Sequence, residues 1–161
     1  MSRPMTEPRR VILSPGGLFC GDRSFVVSTI LGSCIAVCLW DRNRRRGGMN
    51  HFQLPRWDGA GEPLSFGDVS TERLVAEMEA MGSRRSDLDA KLFGGAAVLG
   101  SGGPGSTVGE KNAEAALATL GRLGIEVVGG SIGGPLGCRI RFDLATGAVV
   151  LRRVRSPLGG V

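Results

Sequence analysis

Ser28–His51 reads STILGSCIAVCLWDRNRRRGGMNH, and its internal pattern decides the fold. Phe25–Ile30 and Cys34–Trp40 are rich in Val, Ile, Leu and aromatic residues and are bounded by Gly and polar residues, the signature of strands. Asp41–Arg46 is a charged turn, and Gly47–Phe52 is the returning strand of a hairpin. A turn near 43–45 sets the start of one strand beside the end of the next, so Cys34 meets His51, the only histidine in the chain. A thiol beside an imidazole is the minimum for nucleophilic catalysis: the imidazole takes the proton and the thiolate attacks a carbonyl. The same residues also have an ordinary reading. A cysteine in an apolar run is commonly a small buried hydrophobe, and a lone histidine is commonly structural.

Outward from this stretch, residues 1–9 read as a loose tail, Val11–Leu13 as a short strand and Ser14–Gly17 as a turn. Pro55–Gly67 is a Pro/Gly-rich loop carrying Trp57. Asp68–Met81 is expected to be helical, with Leu74, Val75, Met78 and Met81 on one face, Asp68 or Ser70 as its cap and Gly82 as its end. Leu88–Phe93 reads as a strand ended by Gly94-Gly95, and Gly100–Gly109 as a loop. Glu110–Leu120 is a second helix whose inner face is expected to hold Ala113, Ala116, Leu117 and Leu120. Ile125–Val128 is a strand, Gly129–Gly137 a second glycine-rich loop, and Cys138–Asp143 with Ala148–Val154 a hairpin across Ala145–Gly147. Strands interleaved with two helices and closed by a hairpin argue a mixed sheet covered by helices.

At 161 residues the chain fits one domain, assigned to 10–155, with 156–161 as a second tail. Such a chain buries about 70% of its unfolded surface, enough for a core without staples. Met1–Arg10 is too polar for the apolar part of a signal peptide, and no run is long enough for a membrane span. A cytoplasmic protein, not embedded in a membrane, is expected. There Cys20, Cys34, Cys38 and Cys138 stay reduced. The net charge of +5 comes with clusters at Arg42–Arg46 and Arg152–Arg155. With 5% aromatic residues and no nucleic-acid motif, these read as solvated turns and edge-strand protection, and no nucleic-acid partner is expected. A modest basic surface also suits docking onto an acidic helical bundle.

The sequence also contains two rival sites. Gly100–Gly105 matches G-x-G-x-x-G, with Glu126 some way beyond. However, Pro104 removes an amide from the loop that would hold phosphate, and Glu126 stands at the start of its strand rather than its far end. The second is zinc on Cys34, Cys38 and His51 with Cys20 or Cys138. On one strand Cys34 and Cys38 would stand ~13 Å apart, too far to share a metal bound at ~2.3 Å. Neither a metal nor an organic cofactor is expected.

LGSC at Leu31–Cys34, the apolar strand and basic turn after it, and Gly48, His51, Leu54 and Pro55 in G-x-x-H-x-x-L-P spacing together resemble the CheD family of chemoreceptor glutamine deamidases. AKLFGGA at Ala90–Ala96, Val108–Asn112 and the Thr146-Gly147 hairpin extend the resemblance over roughly 10–155, with a departure at Cys138, where the family often has a basic residue. The resemblance implies a single-domain three-layer α/β sandwich with a mixed β-sheet, similar to cytotoxic necrotizing factor-type cysteine hydrolases. It also implies a cytoplasmic hydrolase, a cysteine amidohydrolase that converts chemoreceptor glutamines to glutamate in chemotaxis adaptation, with receptor methylesterase as a possible side activity. Cys34 would be the nucleophile and His51 its base. A hydroxyl just before the cysteine orients the histidine in such proteins; Thr29 fits by residue type and Ser28 by spacing. Oxyanion donors are expected in the Gly32–Cys34 turn, Ser33 included, and Gln53 is a candidate for substrate amide. Expected partners are chemoreceptor cytoplasmic domains and a CheC-type phosphatase. Docking to that phosphatase, with little catalysis, is the alternative function.

Overall fold

The computed structural model describes residues 6–97 and 107–154. The Gly100–Gly105 stretch, and with it the dinucleotide reading, lies outside the described residues. The described residues form strands β1 (Arg9–Ile12), β2 (Leu18–Asp22), β3 (Phe25–Leu31), β4 (Ile35–Asp41) and β5 (Arg46–Asn50), then helix α1 (Gly67–Ala80) and strand β6 (Leu88–Gly94). Helix α2 (Val108–Arg122) and strands β7 (Glu126–Ile132), β8 (Cys138–Asp143) and β9 (Val149–Arg153) complete them.

The architecture is the expected three-layer α/β sandwich, with two mixed sheets supplying two of its layers. One sheet runs β1-β3-β8-β9 and the other β2-β5-β4-β6-β7. Each contains one parallel pair, β1 with β3 and β6 with β7. Parallel neighbours need a crossover between them. Helix α2 provides it for β6 and β7, and β2, lying in the opposite sheet, provides it for β1 and β3. Both helices cover the outer face of the five-stranded sheet, and the four-stranded sheet packs on its inner face.

Strand β4 explains why the IAVCLW run is apolar without alternation. Ile35, Val37 and Leu39 face the helices and join a core with Leu74, Val75, Met78, Ala116 and Leu120. Ala36 and Cys38 face the other way, into a second core with Val27, Leu31, Met49, Ile140 and Phe142. A strand covered on both faces has no polar side to show. Strand β8, covered on one face only, alternates as such a strand must: Cys138, Ile140 and Phe142 are buried, while Arg139 and Arg141 are exposed.

The hairpin forms as read, with Cys38 opposite Met49 and Asp41 opposite Arg46. Its turn is built around Asp41, which is fully buried. Burial works to raise the carboxyl's pKa, but the Ser83 hydroxyl and the amides of Arg44 and Asn43 donate to it and hold it below the usual value. The basic turn is not simply solvated, since Arg42 pairs with Asp89 at 2.6 Å and Arg44 with Asp87 at 3.0 Å.

Several local expectations need correction. Strand β2 has no counterpart in the sequence reading; it pairs with β5 at the sheet edge. Strand β7 continues to Ile132 through residues assigned to a loop, because pairing with β6 supplies partners that Gly129 and Gly130 do not request by propensity. In α2, Leu117 is 45% exposed, and Gly109, Asn112, Ala113, Ala116 and Leu120 form the inner face. Helix α1 begins after Phe66 without a side-chain cap.

Candidate active site

The site lies at the end of the sandwich where the chain passes from β3, in one sheet, to β4 in the other. Gly32, Ser33 and Cys34 make this passage. The loop is gripped through its carbonyls: Gly95 N–H donates to Cys34 O and Ala96 N–H to Gly32 O, both at 2.9 Å. Gly94 sits beside it at φ +105°, and any Cβ there would collide with the Cys34 carbonyl. This is the physical role of the two glycines in AKLFGGA: a left-handed backbone and a close approach that only Gly accepts. Helix α2 adds a third hold. Asn112, fully buried, donates through Nδ2 to Ser33 O and Gln53 O, each at 3.0 Å. One side chain thus ties the segment before Cys34 to the segment after His51.

His51 follows β5. Its N–H donates to Gly17 O at 3.0 Å, and its carbonyl accepts from Gly16 N–H at 2.8 Å, so the Ser14–Gly17 turn fixes its backbone. The next residue, Phe52, exchanges two backbone hydrogen bonds with Ile35, at 3.1 and 3.0 Å. That antiparallel register makes Cys34 and His51 diagonal neighbours on the face between the sheets, a separation of ~7–8 Å between backbones that side chains span. Cys34 packs against the inter-sheet core and is part-exposed, whereas Cys38 and Cys138 are buried.

The imidazole is held from the opposite sheet. His51 is 2% exposed, and its Nδ1 lies 2.7 Å from Thr29 Oγ1. Thr29 Oγ1 also donates to Leu13 O at 2.9 Å. A carbonyl can only accept and a hydroxyl has one proton to give, so Thr29 accepts from Nδ1–H. The tautomer follows: Nδ1 carries the proton, and Nε2 presents a lone pair. Nε2 has no hydrogen-bond partner among the described residues and is sealed from solvent. Desolvation lowers the His51 pKa from 6.5 to about 4, so the ring is neutral near pH 7. Desolvation raises the Cys34 pKa, opposed by its own backbone N–H. The resting pair is therefore a neutral thiol and a neutral imidazole, with no Sγ–Nε2 hydrogen bond yet made.

Of the other expected residues, one lies away from the imidazole and two lie beside the site. Ser28 points to the outer face of the four-stranded sheet, opposite Arg141, and does not reach His51. The bend at Gly32 breaks the strand parity that made Ser28 a candidate. Ser33 lies in the loop with its carbonyl engaged by Asn112, and its amide, like that of Cys34, donates to no backbone carbonyl among the described residues. Gln53 is exposed next to the site. The sequence reading assigned no role to Asn112 or to the Leu13 carbonyl. Asn112 had a signal, its place one turn into a helix within a distinctive segment; a backbone carbonyl has none.

The family model described as CheD chemotactic sensory transduction matches residues 53–153, which leaves Cys34 and His51 outside its span. Longer similarities cover both. A protein of Rhodospirillum rubrum named "Probable chemoreceptor glutamine deamidase CheD" is 47% identical over 165 residues, covering 100% of this chain and 92% of that one. A protein of the same name from Trichlorobacter lovleyi is 40% identical over 146 residues, covering 90% of this chain and 91% of that one. Among solved structures, the Bacillus licheniformis hypothetical protein YfiH matches with a TM-score of 0.49 and 14% identity, over 80% of this chain and 61% of that one. With a family match over more than half its length and relatives this similar across nearly all of it, the chain belongs to the CheD family.

Proposed function

We propose that this protein is a chemoreceptor glutamine deamidase that works by acyl transfer through Cys34. The observation that carries the reading is the Leu13–Thr29–His51 chain, which fixes a neutral imidazole with Nε2 as the base beside a part-exposed cysteine. A purely structural histidine gains nothing from a buried ring nitrogen left without a partner.

Cys34 Sγ attacks the glutamine side-chain carbonyl carbon as its proton passes to His51 Nε2. Because the resting pair is neutral, His51 acts as a general base during attack rather than as half of a standing ion pair. The amides of Ser33 and Cys34 receive the oxyanion. The tetrahedral intermediate collapses, the C–N bond breaks, and His51 returns the proton to the departing ammonia. Water, deprotonated by Nε2, then attacks the thioester; the C–S bond breaks, Nε2 returns the proton to Cys34 Sγ and glutamate remains. A glutamyl methyl ester would follow the same course with methanol leaving, so the reading includes methylesterase as a side activity. Gln53, exposed beside the site, is the residue that meets the substrate amide in this reading. No step calls for a metal or an organic cofactor.

The test is peptide mass spectrometry of a chemoreceptor cytoplasmic fragment incubated with this protein or with its Cys34→Ala variant. Glutamine-to-glutamate conversion that disappears in the variant supports the reading. Conversion that persists moves the chemistry away from Cys34, and no conversion by either protein overturns the deamidase assignment.

A further inference from the structure

The five-stranded sheet has helices on its outer face, but among the described residues no helix covers the outer face of the four-stranded sheet. That face carries Arg10, Arg139, Arg141 and Arg152 around a shallow trough of about 460 Å³. None of the four has a carboxylate within ion-pair distance among the described residues. Nor can the rest of the chain supply a side-chain carboxylate, because all 15 Asp and Glu residues lie within the described positions. The one acidic residue on this face, Asp143, stands at its far end and accepts from Ala145 N–H in the following turn.

The arrangement also works against itself electrostatically. Arg139 stands directly opposite Arg152 in the β8–β9 ladder, a like-charge cross-strand pair that is unfavourable in isolation. Between and beside the arginines are apolar side chains open to water: Ile12 at 80% exposure, Ile30 at 45% and Val150 at 47%. An apolar floor ringed by uncompensated guanidinium groups is complementary to an amphipathic helix that bears carboxylates on the flanks of its apolar stripe. Such a helix would also complete the missing layer, as α1 and α2 do on the other sheet.

Position ties this face to the chemistry. Ile30 and Arg139 are register partners one step from the end of β3, where the chain turns into Gly32–Cys34. Arg152 adjoins them, and Ile12 immediately precedes Leu13, whose carbonyl anchors Thr29. A helix seated across these residues lies against the loop that carries the nucleophile. We propose that the outer face of the four-stranded sheet docks an acidic amphipathic helix of the substrate protein, with Arg139 and Arg152 as its principal charged contacts. This rests on the deamidase reading for the identity of the partner.

The experiment separates docking from catalysis by using Cys34→Ala protein, which cannot form a thioester. Its dissociation constant for a purified chemoreceptor cytoplasmic fragment is measured by fluorescence anisotropy at low and moderate salt. Adding Arg139→Gln and Arg152→Gln is expected to weaken binding on the order of tenfold, and Arg→Glu at both sites more. Added salt is expected to weaken the parent and to affect the double variant much less. Removing two exposed charges from the opposite side, by Arg73→Gln and Arg122→Gln, should leave the constant within about twofold. Thermal unfolding should show the face variants at least as stable as the parent, since a like-charge pair has been relieved. Unchanged affinity in the face variants overturns the proposal. So does face-dependent binding to phosphatidylglycerol vesicles or RNA with none to the fragment. Face-dependent binding to the fragment upholds it even if the Cys34-containing protein forms no glutamate, a result that would sink the deamidase reading alone.

Discussion

Replacing Thr29 with Val keeps the side chain's shape and removes its hydroxyl. In the native structure that hydroxyl is both donor and acceptor, giving its proton to Leu13 O at 2.9 Å and receiving one from His51 Nδ1 at 2.7 Å. Thr29 and His51 are each 2% exposed, so water does not replace the lost partner. Two buried polar groups are left unsatisfied at roughly 1–3 kcal/mol each, partly offset by the added methyl, for a net destabilisation of about 2–4 kcal/mol. The kinetic effect has a separate origin. With no acceptor at Nδ1, the imidazole is no longer held in the tautomer that leaves Nε2 basic, and its ring is free to turn. General-base catalysis contributes about 10²–10⁴-fold, so kcat for glutamine deamidation is expected to fall at least ~10²-fold with a much smaller change in KM. Urea unfolding gives the first quantity and ammonia release the second. Thr29→Ser restores donor and acceptor and should recover most of both. Ser28→Ala, on the outer face, should cost no more than about 0.5 kcal/mol. A Thr29→Val protein with kcat within twofold of the parent, or a Thr29→Ser protein as poor as Thr29→Val, would refute the argument.

The remaining predictions concern pH and the supports of the loop. His51 is held at about 4 in the folded protein against 6.5 unfolded, so the unfolded chain takes up the proton first as pH falls. The stability this contributes is whole above about pH 6.5 and is lost between 6.5 and 4, on the order of 3 kcal/mol; chemical denaturation against pH, compared with His51→Gln, measures it. By the same shift, the acid limb of kcat/KM, which reports the free enzyme, should fall near pH 4 rather than near 6.5. Gly94→Ala forces a side chain into a left-handed backbone and against the Cys34 carbonyl, and should cost roughly 2–4 kcal/mol in urea unfolding. Asn112→Asp turns a donor to two carbonyls into an acceptor facing them, so it should lower both the melting temperature and kcat more than Asn112→Ala does.

How much of this was readable in the sequence differs from element to element, for physical reasons. The β4–β5 hairpin was plain because its signals are local: an unbroken apolar run, a charged turn and a returning run fix strand, turn and register together. Strand β2 was not, because LFCGD is short, contains a glycine and owes its extended form to pairing with β5. Composition reads Gly129–Gly137 as a loop, yet pairing with β6 draws Gly129–Ile132 into the sheet. Leu117 shows the limit of periodicity. It fits an apolar face by spacing, but the five-stranded sheet receives the face one position round, which small residues and Asn112 fill. At the site, the nearness of Cys34 and His51 was legible because the hairpin register that brings them together is set by local signals. The choice between Ser28 and Thr29 was not, because it depends on which way β3 faces after a bend at Gly32. The anchoring carbonyl of Leu13 leaves no trace in residue type at all.

The central claim is that the glutamine acyl group passes through a covalent bond to Cys34. A thioester partitions between water and added nucleophiles, so the most direct measurement is deamidation of the chemoreceptor fragment in the presence of hydroxylamine, with products read by mass spectrometry. The account predicts glutamyl hydroxamate at the same positions that become glutamate, in a proportion that rises with hydroxylamine, and neither product with Cys34→Ala. Ammonia release that yields only glutamate at every hydroxylamine concentration, or hydroxamate formed equally well by Cys34→Ala, would contradict it.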